Sequence, residues 1–301
     1  MTPIVGTSLA PTPQKTVLVV DSSPKINAMI TRVLKDEGLE IRRAVDNKTV
    51  LSLVKENPFD LIVTGQKTSG REDIELLHAI RNARPHVRMI ILADESARAD
   101  VIEAVRAGAF SYFSPPYTQD GFATMVNRAM REPTWDDGIE ILSATPSWVR
   151  LIVRCDVATA DRLVQFLRAG STLPEVKKDD VITAFHEILL NAMEHGAHFD
   201  PSQYVEVAFV RARRMMLCRV KDPGQGFSLD EVRHLAASHS PTDLISHIRV
   251  REELGLRPGG FGVMLAKGLV DELIYNEQRN DVLLVKYLDP SSAEGTVRNS
   301  A

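Results

Sequence analysis

The 301-residue sequence is poor in the features that mark secreted or membrane-spanning proteins. It has only two cysteines, Cys155 and Cys218, and each lies in an apolar run typical of a strand. We therefore expect two buried free thiols rather than a disulfide. No apolar run reaches the roughly 18 residues that a membrane span needs, and the start of the chain lacks the basic and apolar regions of a signal sequence. These absences predict a cytoplasmic protein in a reducing compartment.

The sequence also lacks a strong excess of charge of either sign. Its 36 Lys and Arg against 40 Asp and Glu leave a formal net charge of −4 at pH 7. Such a balance gives no electrostatic reason to expect nucleic acid or a membrane surface as a partner. With 44% apolar residues, the chain is long enough to build two domains, each with a sizeable core.

The most informative stretch of the sequence is Phe185–Gly196, which predicts a helix with one polar stripe. Glu187, Asn191 and His195 recur every fourth residue, so successive members drift by only about 40° around the helix axis. The opposite side is apolar, as expected for a face that packs on a core; it consists of Ile182, Phe185, Leu189 and Ala192. Gly196 stands where a helix C-cap is expected. Glu and Asn one turn apart can orient a nucleophile and offer an oxygen to Mg.

Two glycine-bearing segments follow this predicted helix. In the first, a predicted strand delivers Asp222 into a turn with Gly224 and Gly226, and the carboxylate can accept a hydrogen bond from an adenine amino group. The second segment contains Gly259, Gly260 and Gly262 and leads into an apolar helix, Val263–Leu269, whose first amides can approach a phosphate. Each feature alone is also compatible with a solvated helix face or an ordinary turn. The three in series favour a nucleotide site.

These segments resemble a known family. HEILLNAMEHG resembles the N-box, DPGQGF the first glycine box and RPGGFGVMLAKGLVDEL the second glycine box of the Bergerat-type ATP-binding fold shared by gyrase and histidine kinases. The resemblance is greatest to the anti-sigma factor serine/threonine kinases, which bind ATP and Mg in an α/β two-layer sandwich. It implies Glu187 as general base and Asn191 as Mg ligand. The remaining implied nucleotide-binding residues are His195, Asp222, Gly224, Gly226, Gly259, Gly260 and Gly262.

The first half of the chain alternates short apolar runs with helical ones. The predicted strands are Val17–Val20, Leu39–Arg42, Leu61–Val63, Met89–Leu92 and Phe110–Phe113. This alternation predicts a doubly wound five-stranded parallel sheet with helices on both faces. It resembles the receiver domain of two-component response regulators.

The residues that would carry phosphorylation in a receiver are largely missing here. Asp21 is kept, but Ser22 replaces the second acid, and Gly65 falls at the position of the phosphoacceptor aspartate. Ala93 and Pro115 stand at the positions of the switch Ser/Thr and the lysine. An aspartyl phosphate needs a nucleophilic carboxylate, so no phosphoacceptor is expected.

Neither of two neighbouring acids is a good substitute for the missing aspartate. Asp60 opens its predicted strand, at the end of the sheet away from a receiver site. Asp94 is expected to be a solvated loop acid. Asp21 is itself explained as the cap of a helix that starts near Pro24. We therefore interpret this half as a pseudo-receiver that serves docking or dimerisation.

The sequence divides into five segments on these patterns. They are a flexible arm at 1–14, a degenerate receiver at 15–131, a linker at 132–138, an ATP-binding domain at 139–288 and a tail at 289–301. About thirty residues between Gly226 and Gly259 are longer than most connections and predict a lid.

The resemblance implies a kinase that phosphorylates a serine or threonine of a STAS-domain anti-anti-sigma protein, and it makes a homodimer possible. A binding protein gated by nucleotide, with a sigma factor or STAS protein as partner and no phosphotransfer, remains the alternative. A histidine kinase would need two long dimerising helices ahead of the ATP domain, where residues 132–180 instead predict strands and one helix. A phosphorylation-controlled response regulator is disfavoured by Gly65 and Pro115.

Overall fold

The structure, a computed structural model, describes residues 15–20, 24–65, 69–93, 98–116, 118–131, 138–145, 147–226 and 262–288. Contacts between Cα atoms divide the chain into two compact units. The first comprises residues 1–95 and 113–135, and the second comprises 96–112 and 136–301. The predicted arm and tail, and Asp21, Ser22 and Asp94, lie outside the described residues.

A five-stranded sheet in the order β2-β1-β3-β4-β5 organises the first half of the chain. Its strands are β1 (Thr16–Val20), β2 (Glu40–Ala44), β3 (Leu61–Val63), β4 (Arg88–Leu92) and β5 (Ser111–Phe113). The helices between and after them are α1 (Pro24–Asp36), α2 (Asn47–Glu56), α3 (Gly70–Ala83), α4 (Arg98–Arg106) and α5 (Gln119–Arg131). β1 pairs in parallel with β2 and β3, and β3 pairs in parallel with β4. The doubly wound parallel sheet predicted from the sequence is confirmed.

The central strands are buried on both faces, as a parallel sheet covered by helices requires. Val17, Leu18, Val19 and Val20 are all fully buried. The helices start at local signals that the sequence carries. Before α3, for example, the Ser69 hydroxyl accepts the Glu72 N–H while the Glu72 carboxylate accepts the Ser69 N–H, a capping box.

The positions that correspond to a receiver's phosphorylation site lie at the strand ends. Gly65 is buried shortly after β3, and Ala93 is buried directly after β4. Pro115 is exposed after β5. Asp60 lies at the other end of its strand, where its carboxylate accepts the Thr16 N–H at 2.8 Å, as predicted. A glycine at position 65 offers no side chain to phosphorylate.

The second unit contains a six-stranded sheet in the order β10-β11-β9-β8-β7-β6, in which all the strand pairs are antiparallel. Its strands are β6 (Ile139–Thr145), β7 (Trp148–Arg154), β8 (Tyr204–Arg211), β9 (Met215–Lys221), β10 (Glu272–Tyr275) and β11 (Asp281–Tyr287). The helices after β7 are α6 (Val157–Gly170), α7 (Glu175–Asn191) and α8 (Gly262–Leu269). β10 was not predicted from the sequence.

One face of this sheet is apolar and packs against the helices. In β8, Val205, Val207 and Phe209 alternate with more exposed residues, and the Phe209 ring meets that of Phe185 on α7 with centroids 4.9 Å apart. Cys155 and Cys218 are buried free thiols, as predicted. The α/β two-layer arrangement predicted for this half is confirmed.

Residues 96–112 belong to the second unit by their contacts. Arg162 on α6 is only 2% exposed; its Nε donates to the Phe110 carbonyl at 2.9 Å, and its guanidinium lies 4.7 Å from the centroid of the Phe110 ring. Gln165 donates to the Tyr112 carbonyl at 3.1 Å. The segment boundaries proposed from the sequence remain predictions.

Candidate functional site

Helix α7 carries the polar stripe predicted from the sequence, but its last part differs from the prediction. α7 is regular as far as Asn191 and continues as a π-helical turn, Ala192–Gly196. The Ala192 N–H is shared between the carbonyls of Ile188 and Leu189. Gly196 is thus the last residue of a π turn rather than a helix C-cap. His195 lies within this π turn, four residues after Asn191.

Gly262, the first residue of α8, lies directly against Glu187 and Asn191. A Cβ placed on Gly262 would lie 2.5 Å from Glu187 Oε2 and 3.2 Å from Asn191 Nδ2. Both polar side chains are half-buried. The structure therefore brings the carboxylate and the carboxamide, which are one helical turn apart, together with the start of a helix about 70 residues later in the chain. The amides of a first helical turn have no partner within the helix and favour an anion.

Asp222 forms a second cluster, with Gly196 and Gly224. A side chain on Gly196 would overlap the Asp222 carboxylate, so only glycine lets this acid approach the π turn. Asp222 Oδ1 accepts the Gly224 N–H at 2.9 Å. A Cβ on Gly224 would lie 2.9 Å from the Gly196 Cα. The small residues at 196 and 224 therefore fix the position of the carboxylate.

The connection between β10 and β11 holds this cluster in place. Its contribution was not predicted from the sequence. The Asn280 carbonyl accepts the Asp222 N–H at 2.9 Å, and Asn280 Nδ2 donates to the Gly224 carbonyl at 2.9 Å. Gly226 has φ +77°, and a Cβ there would overlap the Gln278 carbonyl. The polar run of residues 276–281 between two strand-like runs was the available signal, but it does not reveal which turn it contacts.

The environment of Asp222 is partly desolvated. Burial raises the pKa of its carboxyl, while the Gly224 N–H, its own backbone N–H and the charge of His195 oppose this effect. The negative charge of Asp281 raises the pKa further. His195 is exposed and so contributes to this end of the site by its charge rather than by a contact that the structure defines. The result is a carboxylate prepared to accept a hydrogen bond where water is partly excluded.

The two clusters lie along one rod formed by α7 and the π turn. From Glu187 to Gly196 the rod extends about 13 Å at ~1.5 Å per residue. The Asp222 carboxylate thus lies at one end, and the Glu187 carboxylate, the Asn191 amide and the start of α8 lie at the other. Gly259, Gly260 and the predicted lid between Gly226 and Gly259 lie outside the described residues.

The side chains present fit an Mg-bound nucleotide. Among the described residues, no group of three or more His, Cys, Asp or Glu residues could hold a metal ion alone. Mg is commonly held by one or two protein oxygens, with water and phosphate oxygens as its other ligands. The Asn191 side chain, which carries an oxygen of this kind, lies close to Gly262 at the start of α8, where the first helix amides favour a phosphate.

Comparisons with known proteins identify two regions of the chain. Residues 17–127 match the family model of the response regulator receiver domain, and residues 155–286 match that of the histidine kinase-like ATPase domain. The chemotaxis protein CheY-3 of Vibrio cholerae is 30% identical over 105 residues, which cover 34% of this chain and 81% of that protein.

The DNA-binding transcriptional regulator NtrC of Azospirillum brasilense is 27% identical over 119 residues, which cover 40% of this chain and 25% of that protein. The chain thus spans about a quarter of the length of this relative. A receiver domain structure from Clostridium thermocellum is 28% identical, with a TM-score of 0.34, and covers 38% of this chain and 94% of that one. No helix in the described parts of the chain has the length and apolarity that a membrane crossing requires.

Proposed function

This chain belongs to the response regulator receiver family and joins that receiver to a histidine kinase-like ATPase domain, and we propose that it is an ATP-dependent serine/threonine protein kinase. Its substrate is a serine or threonine of a STAS-domain antagonist in a bacterial partner-switching pathway, in which the partners are that protein and a sigma factor. The proposed protein is cytoplasmic, and a homodimer is compatible with the proposal.

The observation that supports this proposal most directly is the meeting of Gly262 with Glu187 and Asn191. Phosphoryl transfer depends mainly on positioning and on electrostatic stabilisation of the phosphates, and these three residues offer both. Glu187 would orient an incoming hydroxyl and accept its proton. Asn191 would hold Mg through its side-chain oxygen, and Asp222 would accept a hydrogen bond from the adenine amino group.

The cation, when bound, supplies neutralising charge to the phosphates. The protein itself contributes to phosphoryl transfer in two further ways. The amide groups at the start of α8 favour phosphate oxygens, and the half-buried position of Glu187 limits competition from water for the hydroxyl proton.

The receiver half enters this proposal as a regulatory or dimerisation module that is not phosphorylated. Gly65 stands where the acceptor aspartate would be, and it is buried. Incubation with acetyl phosphate and Mg should therefore leave the intact mass unchanged. A covalent aspartyl phosphate found by mass spectrometry would contradict this part of the proposal.

The proposal is tested by titrating the full chain with Mg-ATP and Mg-ADP and then measuring transfer from radiolabelled ATP to the STAS proteins of the same genome. We expect saturable nucleotide binding and a label on the STAS protein that survives acid, as serine and threonine phosphates do. A label lost in acid would indicate a phosphohistidine. Binding without any transfer would favour the nucleotide-gated switch, and no binding at millimolar ATP would overturn both.

A further inference from the structure

The second unit contains an apolar cavity of about 60 Å3 that is separate from the nucleotide site. All of its lining residues belong to that unit. One stripe of α4 lines it, with Arg98, Val101, Ile102 and Val105 at the spacing of a single helix face. Leu163 and Phe166 of α6 line the opposite side, and the remaining wall comes mainly from the apolar face of the sheet.

Two arginines, Arg98 and Arg211, are the charged members of this lining. The Arg211 guanidinium donates to the carbonyl of the neighbouring Ala212, and Arg98 forms no ion pair or side-chain hydrogen bond with any other described residue. In the described part of the chain, neither guanidinium has a carboxylate partner. Burial lowers the pKa of Arg98, and the like charge of Arg211 lowers it further.

Among the described residues these two half-buried cations have no counter-charge beside the apolar cavity, and burial of unpaired positive charge favours the binding of an anion. A guanidinium matches a carboxylate especially well, because its fork of N–H groups can donate two parallel hydrogen bonds. The start of α4, where Arg98 is the first helical residue, adds the positive end of the helix dipole. Positive charge and apolar surface therefore meet at one place.

We propose that this cavity is a binding site for a small organic anion, with a carboxylate held by Arg98 and Arg211 and a short alkyl chain inside the cavity. The volume sets the size of the apolar part. A cavity of about 150 Å3 admits benzene, so the smaller cavity here accommodates an alkyl chain of a few carbons rather than an aromatic ring. The proposal does not depend on nucleotide binding or on kinase activity.

The cavity is closed at one side by Gly170, the last residue of α6. A Cβ on Gly170 would lie 3.5 Å from a γ-carbon of Val101, an ordinary van der Waals distance. A larger side chain at this position would extend into the space between α4 and α6. Gly170→Leu is therefore a variant that blocks the apolar part of the site while leaving both arginines in place.

The experiment is a titration of the full chain with butanoate, butan-1-ol and butylammonium, followed by calorimetry and by methyl NMR of the lining side chains. We expect saturable binding of butanoate, with shifts at Val101 and Leu163, and binding at least tenfold weaker for the neutral and cationic compounds. Arg98→Gln and Arg211→Gln should each weaken butanoate binding by roughly 10-fold or more, since each removes a charge-assisted contact. Gly170→Leu should do the same.

Arg150→Gln is the matched control, because Arg150 lies in β7 but already pairs with Glu206 at 2.9 Å. Its butanoate affinity should equal that of the unmodified chain. Arg98→Lys and Arg211→Lys keep the charge without the fork, so they give intermediate affinities even if a glutamine variant fails to fold. Absence of saturable butanoate binding up to about 10 mM, or equal affinity for butanoate and butylammonium, would overturn the proposal.

Discussion

The Cα of Gly262 lies so close to the Glu187 carboxylate that one added carbon would stand 2.5 Å from Glu187 Oε2. Gly262→Ala should therefore push the carboxylate or the start of α8 out of position. We expect Mg-ATP affinity to fall roughly 10- to 100-fold, because phosphate contacts depend on close approach of the helix start. Calorimetric titration of the full-length variant measures this loss.

Gly268 in the same helix provides the control for that substitution. In the described part of the chain, nothing apart from the two neighbouring residues and the backbone of α8 itself lies within 4 Å of a Cβ placed on Gly268, so Gly268→Ala adds a methyl group to open space. We expect unchanged nucleotide affinity and a more stable helix, by about 1 kcal/mol, since alanine is the better helix former. Equal losses of affinity in the two variants would mean that any alanine in α8 weakens binding. The close approach of Gly262 to Glu187 would then not explain the loss.

Glu187→Gln separates the proposed proton acceptor from nucleotide binding. The amide keeps the size of the side chain but cannot take a proton from a hydroxyl. We expect transfer to the STAS substrate to slow by about 100- to 10,000-fold, while the Kd for Mg-ATP changes little. Glu175→Gln, at the exposed first turn of the same helix, should leave both quantities unchanged. A Glu187→Gln variant with normal transfer rate would refute the role of this residue.

The pH dependence of nucleotide binding should reflect Asp222. Its pKa is raised, first by burial and then by the charge of Asp281. Only the ionised carboxylate can accept the hydrogen bond from the adenine amino group with either of its oxygens. We expect nucleotide affinity to fall on acidification at a higher pH than an ordinary aspartate would give. A series of titrations from neutral pH downward measures the midpoint. An affinity that stays constant through the acid range would contradict the role of Asp222.

The same raised pKa makes a prediction for stability. Since the folded-state pKa exceeds the unfolded value, Asp222 favours folding below its unfolded pKa, and this contribution is lost as the pH rises through the folded pKa. Asp222→Asn should thus leave the nucleotide-free protein at least as stable at neutral pH, because its side-chain oxygen can still accept the Gly224 N–H. The same variant should bind Mg-ATP more weakly. Thermal unfolding with and without nucleotide measures both effects.

The sequence predicted those parts of the fold that depend on local periodicity. The alternation of Val205, Val207 and Phe209 identifies a strand with one buried face, and the run Val17–Val20 identifies a strand covered on both sides. Such patterns can be recognised in a segment of a few residues, because successive side chains of a strand point to opposite faces of the sheet. The four-residue spacing of Glu187 and Asn191 likewise predicted that they share one face of a helix.

Features that depend on distant contacts could not be predicted in this way. The π turn at Ala192–Gly196 allows Asp222, 26 residues after Gly196, to lie against the Gly196 backbone. Asn280 supports the Asp222 turn from another strand connection. Neither contact leaves a periodic signal in the sequence. Both depend on the pairing of β9 with β11 rather than on residues that are neighbours in sequence.

The reactivity of the two buried cysteines reports on unfolding of the second unit. Burial raises the pKa of Cys155 to about 12 and that of Cys218 to about 12, and their side chains are at most 1% exposed. Reaction with a thiol reagent requires access and a thiolate, so neither cysteine should react in the folded chain near pH 8. Because the folded-state pKa values exceed the unfolded ones, the thiols contribute stability below about pH 9 that is lost as the pH rises towards 12.

Both thiols should therefore become reactive in one transition as denaturant unfolds the sandwich, coincident with the loss of circular dichroism. Single variants Cys155→Ala and Cys218→Ala assign each reactive thiol to its position. Rapid modification of either cysteine in the native chain would show that β7 or β9 opens separately from the rest of the sheet. In that event, the burial on which the raised pKa values depend would not describe the protein in solution.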